Sequence, residues 1–254
     1  MLIDSHCHLY MGSWKDNLPT ILQNAKETGV GKIICPGIDI ETSNKSAKIA
    51  FEYKEVYAAV GIHPHDAKDA PSNFIDKLIE LLQQPKVIAV GEIGLDFYRN
   101  ISDSKIQHEV FKKQLQLAKE LDLPVIIHNR SADEEIIKIL NEYKSVKGVA
   151  HCFSSDIMTA KSLLDMGLYI SFAGNLTYKN SDLPEIAKEI PFDRLLVETD
   201  APFLSPRPFR GKENEPSRVK FVVDKLAECH DVSREIIEMS THDNAVKLFS
   251  LPKY

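Results

Sequence analysis

Eight short apolar runs recur along this chain, at 1–4, 32–36, 56–62, 87–91, 124–127, 148–150, 168–172 and 195–198. Between most of them lie segments of helical period, such as NFIDKLIELLQQ, HEVFKKQLQLAKEL and DEEIIKILNEY, often closed by Gly or Pro. The runs are rich in Val, Ile and Ala without polar alternation, as strands covered on both faces of a parallel sheet must be. Strand followed by helix is the repeating unit. Eight such units predict an α/β fold, one (β/α)8 TIM barrel domain over 1–254, with a doubly wound open sheet as the structural alternative.

The residues at the carboxyl end of each run narrow the chemistry. The first run ends in His6-Cys7-His8, the third in GIHPHD, the fourth in GEIGLD, the fifth in VIIHNR, the sixth in VAHCF and the eighth in VETDAP. Barrel enzymes build their active sites at this carboxyl face. In an extended strand, side chains at i and i+2 share a side, so His6 and His8 can aim at one point while Cys7 faces away. The same parity groups Ile88, Val90 and Glu92 in the fourth strand, Ile126 and His128 in the fifth, Val149 and His151 in the sixth, and Leu196, Glu198 and Asp200 in the eighth. Cys152 falls on the opposite face from His151. Asp4 and Glu198 share the inward parity one layer deeper, a position suited to orienting imidazoles or holding strand ends.

A lone strand-end His is more often a hydrogen-bonded core or surface residue than a ligand, and a lone acid is more often a cap or turn residue. Six such groups meeting in one place change the reading. His6, His8, Glu92, His128, His151 and Asp200 would be a costly buried polar cluster without a cation among them. Six ligands also exceed the three that one tetrahedral catalytic site uses, so two divalent cations sharing a carboxylate are expected; Mg, Mn and Zn are all compatible with the donors. His63 has the parity of Ala59 and Gly61 and is assigned to substrate contact, while His65 follows Pro64 in the loop and either touches substrate or packs. His108, His230 and His242 fall in helical segments with no identifiable partner.

Composition excludes several classes. The N-terminus lacks a basic segment followed by a long apolar run, and no stretch reaches the ~18 apolar residues of a membrane span, so a cytoplasmic protein with no membrane partner is expected. Four separated cysteines, Cys7, Cys35, Cys152 and Cys229, form no Cys-x-x-Cys and suggest reduced thiols. A net charge of -6 argues against a surface coated in basic residues but leaves room for a local cationic patch. Nothing in the chain marks an obligate protein partner.

IDSHCHL, GIHPH, GEIGLDFYRN, VIIHNR, AHCFS and LLVETDAPFLSPRPFRGKENEP, taken in this order from residue 3 to about 216, resemble the motifs of the TatD family of metal-dependent deoxyribonucleases, within the amidohydrolase-type barrels. The resemblance implies that His6, His8, Glu92 and Asp200 hold one metal and that Glu92 bridges to a second held by His128 and His151. Many related barrels bridge with a carboxylated lysine; here the fourth strand offers Glu92 instead.

Two divalent ions ~3.5 to 4 Å apart lower the pKa of a shared water toward ~7 and clamp the attacking and leaving oxygens of an in-line displacement. Asp200 is then placed to take the proton from that water. Arg207, Arg210, Lys212, Arg218 and Lys220 cluster in and after the loop 201–218, where they can track a nucleic-acid backbone. Of these, Arg210 is assigned to phosphate contact, because a guanidinium pairs two phosphate oxygens at once, whereas Lys212 and Lys220 read as solvated charges. Arg99 and Tyr98 are weaker candidates for holding a base or backbone. The resemblance implies hydrolysis of DNA phosphodiesters, with attack at a single-stranded or frayed 3′ end, and DNA as the partner, RNA or tRNA being the other nucleic acids in view. A second reading puts the same two ions on the ester of a D-aminoacyl-tRNA; a third makes the metal structural and the basic loop a nucleic-acid binder.

Overall fold

The structure, a computed structural model, describes residues 1–252, so the last two positions of the expected 1–254 domain lie outside the described residues. Eight parallel strands pair in chain order: β1 (Leu2–Asp4), β2 (Val30–Pro36), β3 (Val56–Val60), β4 (Val87–Asp96), β5 (Val125–Arg130), β6 (Gly148–Ala150), β7 (Tyr169–Phe172) and β8 (Leu195–Val197). The last strand returns to the first. Ser5 N–H donates to the Val197 carbonyl at 3.1 Å, Asp200 N–H to the His6 carbonyl at 2.9 Å, and Cys7 bridges Ala201 in parallel. The sheet is thus a nearly closed TIM barrel rather than an open doubly wound sheet.

Helices α1 (Leu18–Glu27), α2 (Ile40–Glu52), α3 (Phe74–Leu82), α4 (Ser104–Glu120), α5 (Asp133–Glu142), α6 (Ile157–Asp165), α7 (Leu183–Ala187) and α8 (Val219–His230) surround it. Local chemistry starts several of them. Asp39 accepts from Thr42 N–H while the Thr42 hydroxyl accepts from the Asp39 backbone, a reciprocal cap for α2; Asp103 and Asp156 cap α4 and α6. A final helix, α9 (Arg234–Phe249), is set across the amino ends of the strands. Asn244 donates to the carbonyls of Phe192 and Leu195 at 2.7 and 2.8 Å, and His242 Nδ1 lies 3.0 Å from the Met1 carbonyl. No helix of the described residues is long and apolar enough to cross a membrane.

The buried apolar residues form two clusters. The larger lies between sheet and helices; the smaller fills the barrel with Ile3, Ile34, Ala59, Ala89, Ile126, Val149, Tyr169 and Leu196, stoppered from below by Ala245, Leu248, Phe249 and Leu251. At about 1.5–3 kcal/mol for each large side chain buried, this filling makes the barrel a solid support rather than a channel.

Strand four corrects the alternation expected from sequence. Ala89 joins the interior cluster, while Val90 packs outward among the helices, so Ile88, Val90 and Glu92 do not share one face. Pairing with β5 is irregular between Val90 and Ile93, and that irregularity resets the alternation so that Glu92 faces the site. Strand one does likewise: Ile3 is interior although Cys7, of equal parity, packs in the outer layer. Strands β4 and β5 also run further than their apolar runs, pairing as far as Asp96 with Arg130. Gly94, at φ +147°, permits this, because a Cβ there would collide with the His128 carbonyl oxygen.

Candidate metal centre

At the carboxyl mouth of the barrel, one carboxylate stands among five imidazoles. Glu92, buried on β4, turns Oε2 toward His6 Nε2 (3.4 Å) and His8 Nε2 (3.6 Å), which follow β1. Its Oε1 faces His151 Nε2 after β6 (2.8 Å), His128 Nδ1 on β5 (3.0 Å) and His63 Nε2 after β3 (3.4 Å). Asp200, after β8, presents Oδ1 to His6 and His8 Nε2 at 3.8 and 3.6 Å. The six residues expected as ligands therefore lie together although their strands are far apart in the chain.

The nitrogens are turned inward by a second set of groups. His8 Nδ1 lies 3.0 Å from the Tyr10 hydroxyl and 3.3 Å from the Pro36 carbonyl; His151 Nδ1 lies 3.1 Å from Glu198 Oε1; His128 Nε2 lies 3.3 Å from Asp96 Oδ2. A carbonyl or carboxylate accepts and never donates, so the outer nitrogen of each ring carries a proton and the inner nitrogen is the one a cation would use; at His128 and His151 that inner nitrogen faces Glu92 Oε1 as a donor. His63 is different. Its Nδ1 accepts the His65 backbone N–H at 3.1 Å, which leaves its proton on Nε2, facing Glu92. By this tautomer His63 is a hydrogen-bond donor, although by distance alone His63, Glu92 and His128 form one of three possible ligand groups, beside His6–His8–Glu92 and His6–His151–Asp200.

Electrostatics follow from crowding in a dry place. Burial alone would raise the Glu92 carboxyl, but His151, His63 and His128 hold it well below the carboxylate range. Burial would raise Asp200 too, yet His8, His6 and His151 outweigh it and keep this carboxyl low. Burial works against charge on His151, but Glu92 and Glu198 raise it well above the usual imidazole value; His128 is raised as well, with Asp96 and Glu92 overcoming burial. Burial and the neighbouring His151 lower His6, and burial brings His63 down to about 4, so His63 is neutral at physiological pH.

Donor chemistry fits divalent cations. His6 Nε2 is only 3.1 Å from His8 Nε2, a close approach of two nitrogens that a shared cation would reconcile. Every ion pair of Glu92 and Asp200 in the site is with a histidine, so no lysine or arginine supplies the missing positive charge among the described residues. His6 Nδ1 and Glu198 Oε2 are buried without partners.

The remaining expected residues fall into three places. His65 and Arg99 line the same pocket, of about 650 Å³, and both touch Asp96: His65 Nε2 at 2.8 Å and the Arg99 backbone N–H at 2.7 Å. Arg130 lies 4.1 Å over the exposed ring of Tyr98 at its edge. Arg210 lies outside this pocket, in an adjoining cleft, with its guanidinium 4.4 Å over the Tyr178 ring. Arg218, from the basic loop, is inside the loop's own framework, donating to Ser205 Oγ at 3.0 Å and to the Glu213 carbonyl. Cys7 is buried in the outer layer; Cys152 lines the pocket but joins no ligand group, and burial keeps its thiol protonated.

Two contributors went unassigned in the sequence. Asp96 ends GEIGLD, and its place as the shared acceptor of His65 and His128 needed the continuation of β4 beside β5 to become visible. Asn214 of KENEP donates to the Thr199 carbonyl at 2.8 Å and so steadies the backbone beside Asp200, while Asp4 accepts from the Thr199 N–H and hydroxyl at 2.9 and 2.6 Å.

A parallel eightfold barrel carrying this histidine–carboxylate cluster at its carboxyl mouth defines a metal-dependent hydrolase of the amidohydrolase type. Within that class, residues 3–250 match the family described as TatD related DNase, and the chain belongs to the TatD family. It is 43% identical over 254 residues to the uncharacterized metal-dependent hydrolase YabD of Bacillus subtilis, covering 99% of this chain and 100% of that one. It is 31% identical to the 3'-5' ssDNA/RNA exonuclease TatD of Salmonella typhimurium, covering 98% and 99%. The crystal structure of YJJV, a TatD homolog from Escherichia coli K12, superposes with a TM-score of 0.94 at 32% identity, covering 99% and 98%.

Proposed function

We propose that this chain hydrolyses phosphodiester bonds of single-stranded nucleic acid, DNA first, removing nucleotides from a 3′ end with two divalent cations bound across Glu92. The observation that carries this reading is the division of Glu92: one oxygen faces His6 and His8 and the other faces His128 and His151. His6, His8, Glu92 and Asp200 would hold one ion, and Glu92, His128 and His151 the other. When bound, such ions activate water near neutral pH and neutralise charge on the reacting phosphoryl group.

The chain's own groups do the rest. Asp200 is kept ionised by His8, His6 and His151 and brings Oδ1 nearest to His6 and His8, so its carboxylate is placed to accept a proton from the attacking water. His63 Nε2–H donates to a nonbridging phosphate oxygen, as its tautomer allows. His65 and Arg99, both anchored on Asp96, rim the pocket where the strand enters. The single-stranded nucleic acid substrate of the Salmonella relative supports the choice of phosphodiester.

The test is a single-stranded oligonucleotide labelled at its 5′ end, given to chelated protein as Mg, Mn or Zn is returned stepwise. A ladder of products shortened from the 3′ end is expected, falling about 10²–10⁴-fold in Asp200→Asn, the range for loss of a proton-transfer group. A protein inert on DNA that hydrolyses a D-aminoacyl-tRNA ester under the same conditions would overturn the nuclease reading.

A further inference from the structure

Beside the metal pocket lies a second cleft, of about 600 Å³, and Ser154 and Asn175 line both. It is walled by the segments after β6, β7 and β8, and its lining includes a cation–aromatic pair, the Arg210 guanidinium 4.4 Å over the Tyr178 ring. Arg210 is exposed, so its side chain is accessible to a ligand in the cleft. The platform rests on firm ground. Arg207 N–H donates to Thr177 Oγ1 at 2.9 Å, and the β7 and β8 segments meet so closely at Gly174 that a Cβ there would collide with the Leu204 carbonyl oxygen. At the junction of the two cavities, Asn175 Oδ1 is buried without a hydrogen-bond partner.

Charge decides what fits. Asp156 and Asp182 also line the cleft, against the single cation Arg210, so a phosphate placed there would meet two carboxylates. A neutral planar group with donors and acceptors on its edge meets none of that repulsion. It would stack on a guanidinium held over an aromatic ring and would offer Asn175 the donor it lacks.

The geometry points to a nucleobase subsite: the Arg210–Tyr178 platform receives the base of a nucleotide flanking the cleaved phosphodiester, with Asn175 bonding its edge. Arg210 then acts through its face rather than by pairing phosphate oxygens. This inference rests on the phosphodiesterase reading and deepens it.

The experiment compares kcat/KM on matched single-stranded DNAs, one intact and two carrying an abasic residue immediately 5′ or 3′ of the first scissile bond. Wild type, Tyr178→Leu and Arg210→Lys are tested fully metal-loaded, the lysine keeping charge while losing the planar stack. Wild type is expected to prefer intact DNA about tenfold or more over one of the abasic substrates, and both variants to bring that ratio within about twofold of one. A wild type that does not discriminate at either position, or a ratio preserved in both variants, overturns the subsite while leaving the nuclease intact. Arg210→Lys that weakens intact and abasic DNA equally also overturns it, in favour of a phosphate contact. A wild type inert on all three DNAs removes the phosphodiesterase reading, and the subsite with it.

Discussion

Replacing Glu198 tests whether the groups behind the imidazoles tune the metal centre. Glu198 is fully buried, makes its 3.1 Å contact with His151 Nδ1 through Oε1, and stands on the opposite side of that ring from Glu92, 2.8 Å from Nε2. Carboxylates in this position behind a ligating imidazole are worth roughly 10- to 100-fold in metal affinity, which at about 1.36 kcal/mol per decade is about 1.4–2.7 kcal/mol. Glu198→Gln keeps the shape and an amide oxygen able to accept the Nδ1 proton, losing only charge, so about tenfold weaker binding is expected. Glu198→Ala also leaves Nδ1 buried without a partner, which places it near the upper end. Titration calorimetry against a competing chelator reads both, and activity should return at saturating metal because no proton-transfer group has been removed. In the chelated protein, the His151 imidazole, raised with help from Glu198, should titrate at lower pH in Glu198→Gln, visible by NMR. Unchanged affinity in Glu198→Ala, with the fold intact, would refute the claim that this carboxylate orients and charges His151.

Three further outcomes separate ligation from support. His63→Phe should retain the wild-type metal content while kcat falls, because its Nε2 carries a proton; loss of one metal ion per chain would show it to be a ligand. Asn214→Ala removes the buried donor to the Thr199 carbonyl and should lower stability by about 1–3 kcal/mol in chemical denaturation, with reduced activity and unchanged metal content. Phe249→Ala empties part of the stopper beneath the barrel and should cost about 3–5 kcal/mol, while the metal site, at the far mouth, keeps its affinity in the protein that remains folded.

Much of this was readable in the chain because a barrel converts local order into spatial order. Each apolar run brings the residues after it to the same mouth, so His6, His8, His128, His151 and Asp200 could be gathered from position alone. Strand four was legible in outcome but not in detail: Glu92 faces the site only because pairing slips between Val90 and Ile93, and no i+2 rule carries that information. Hydrogen-bond partners were less legible still. His63 sits among the proposed ligands by distance, yet the Nδ1 contact with the His65 backbone, set by the turn at Pro64–Asp69, assigns its proton. In the basic loop, charge placed Arg218 among the residues able to track a nucleic-acid backbone, whereas Arg218 and Asn214 hold the protein's own backbone at the Glu213 and Thr199 carbonyls, because the loop folds back on itself in a way that charge does not reveal.

Sharing of one carboxylate between two cations is the claim on which the rest depends, and metal counting on wild type and Glu92→Gln tests it most directly. Protein reconstituted with Mn or Zn, freed of excess metal and measured by elemental analysis beside anomalous diffraction, should hold two ions per chain, one on each side of Glu92. The Gln variant should lose at least one ion and nearly all hydrolytic activity. Full activity of wild type at a single ion per chain, or two ions retained in Glu92→Gln, would contradict it.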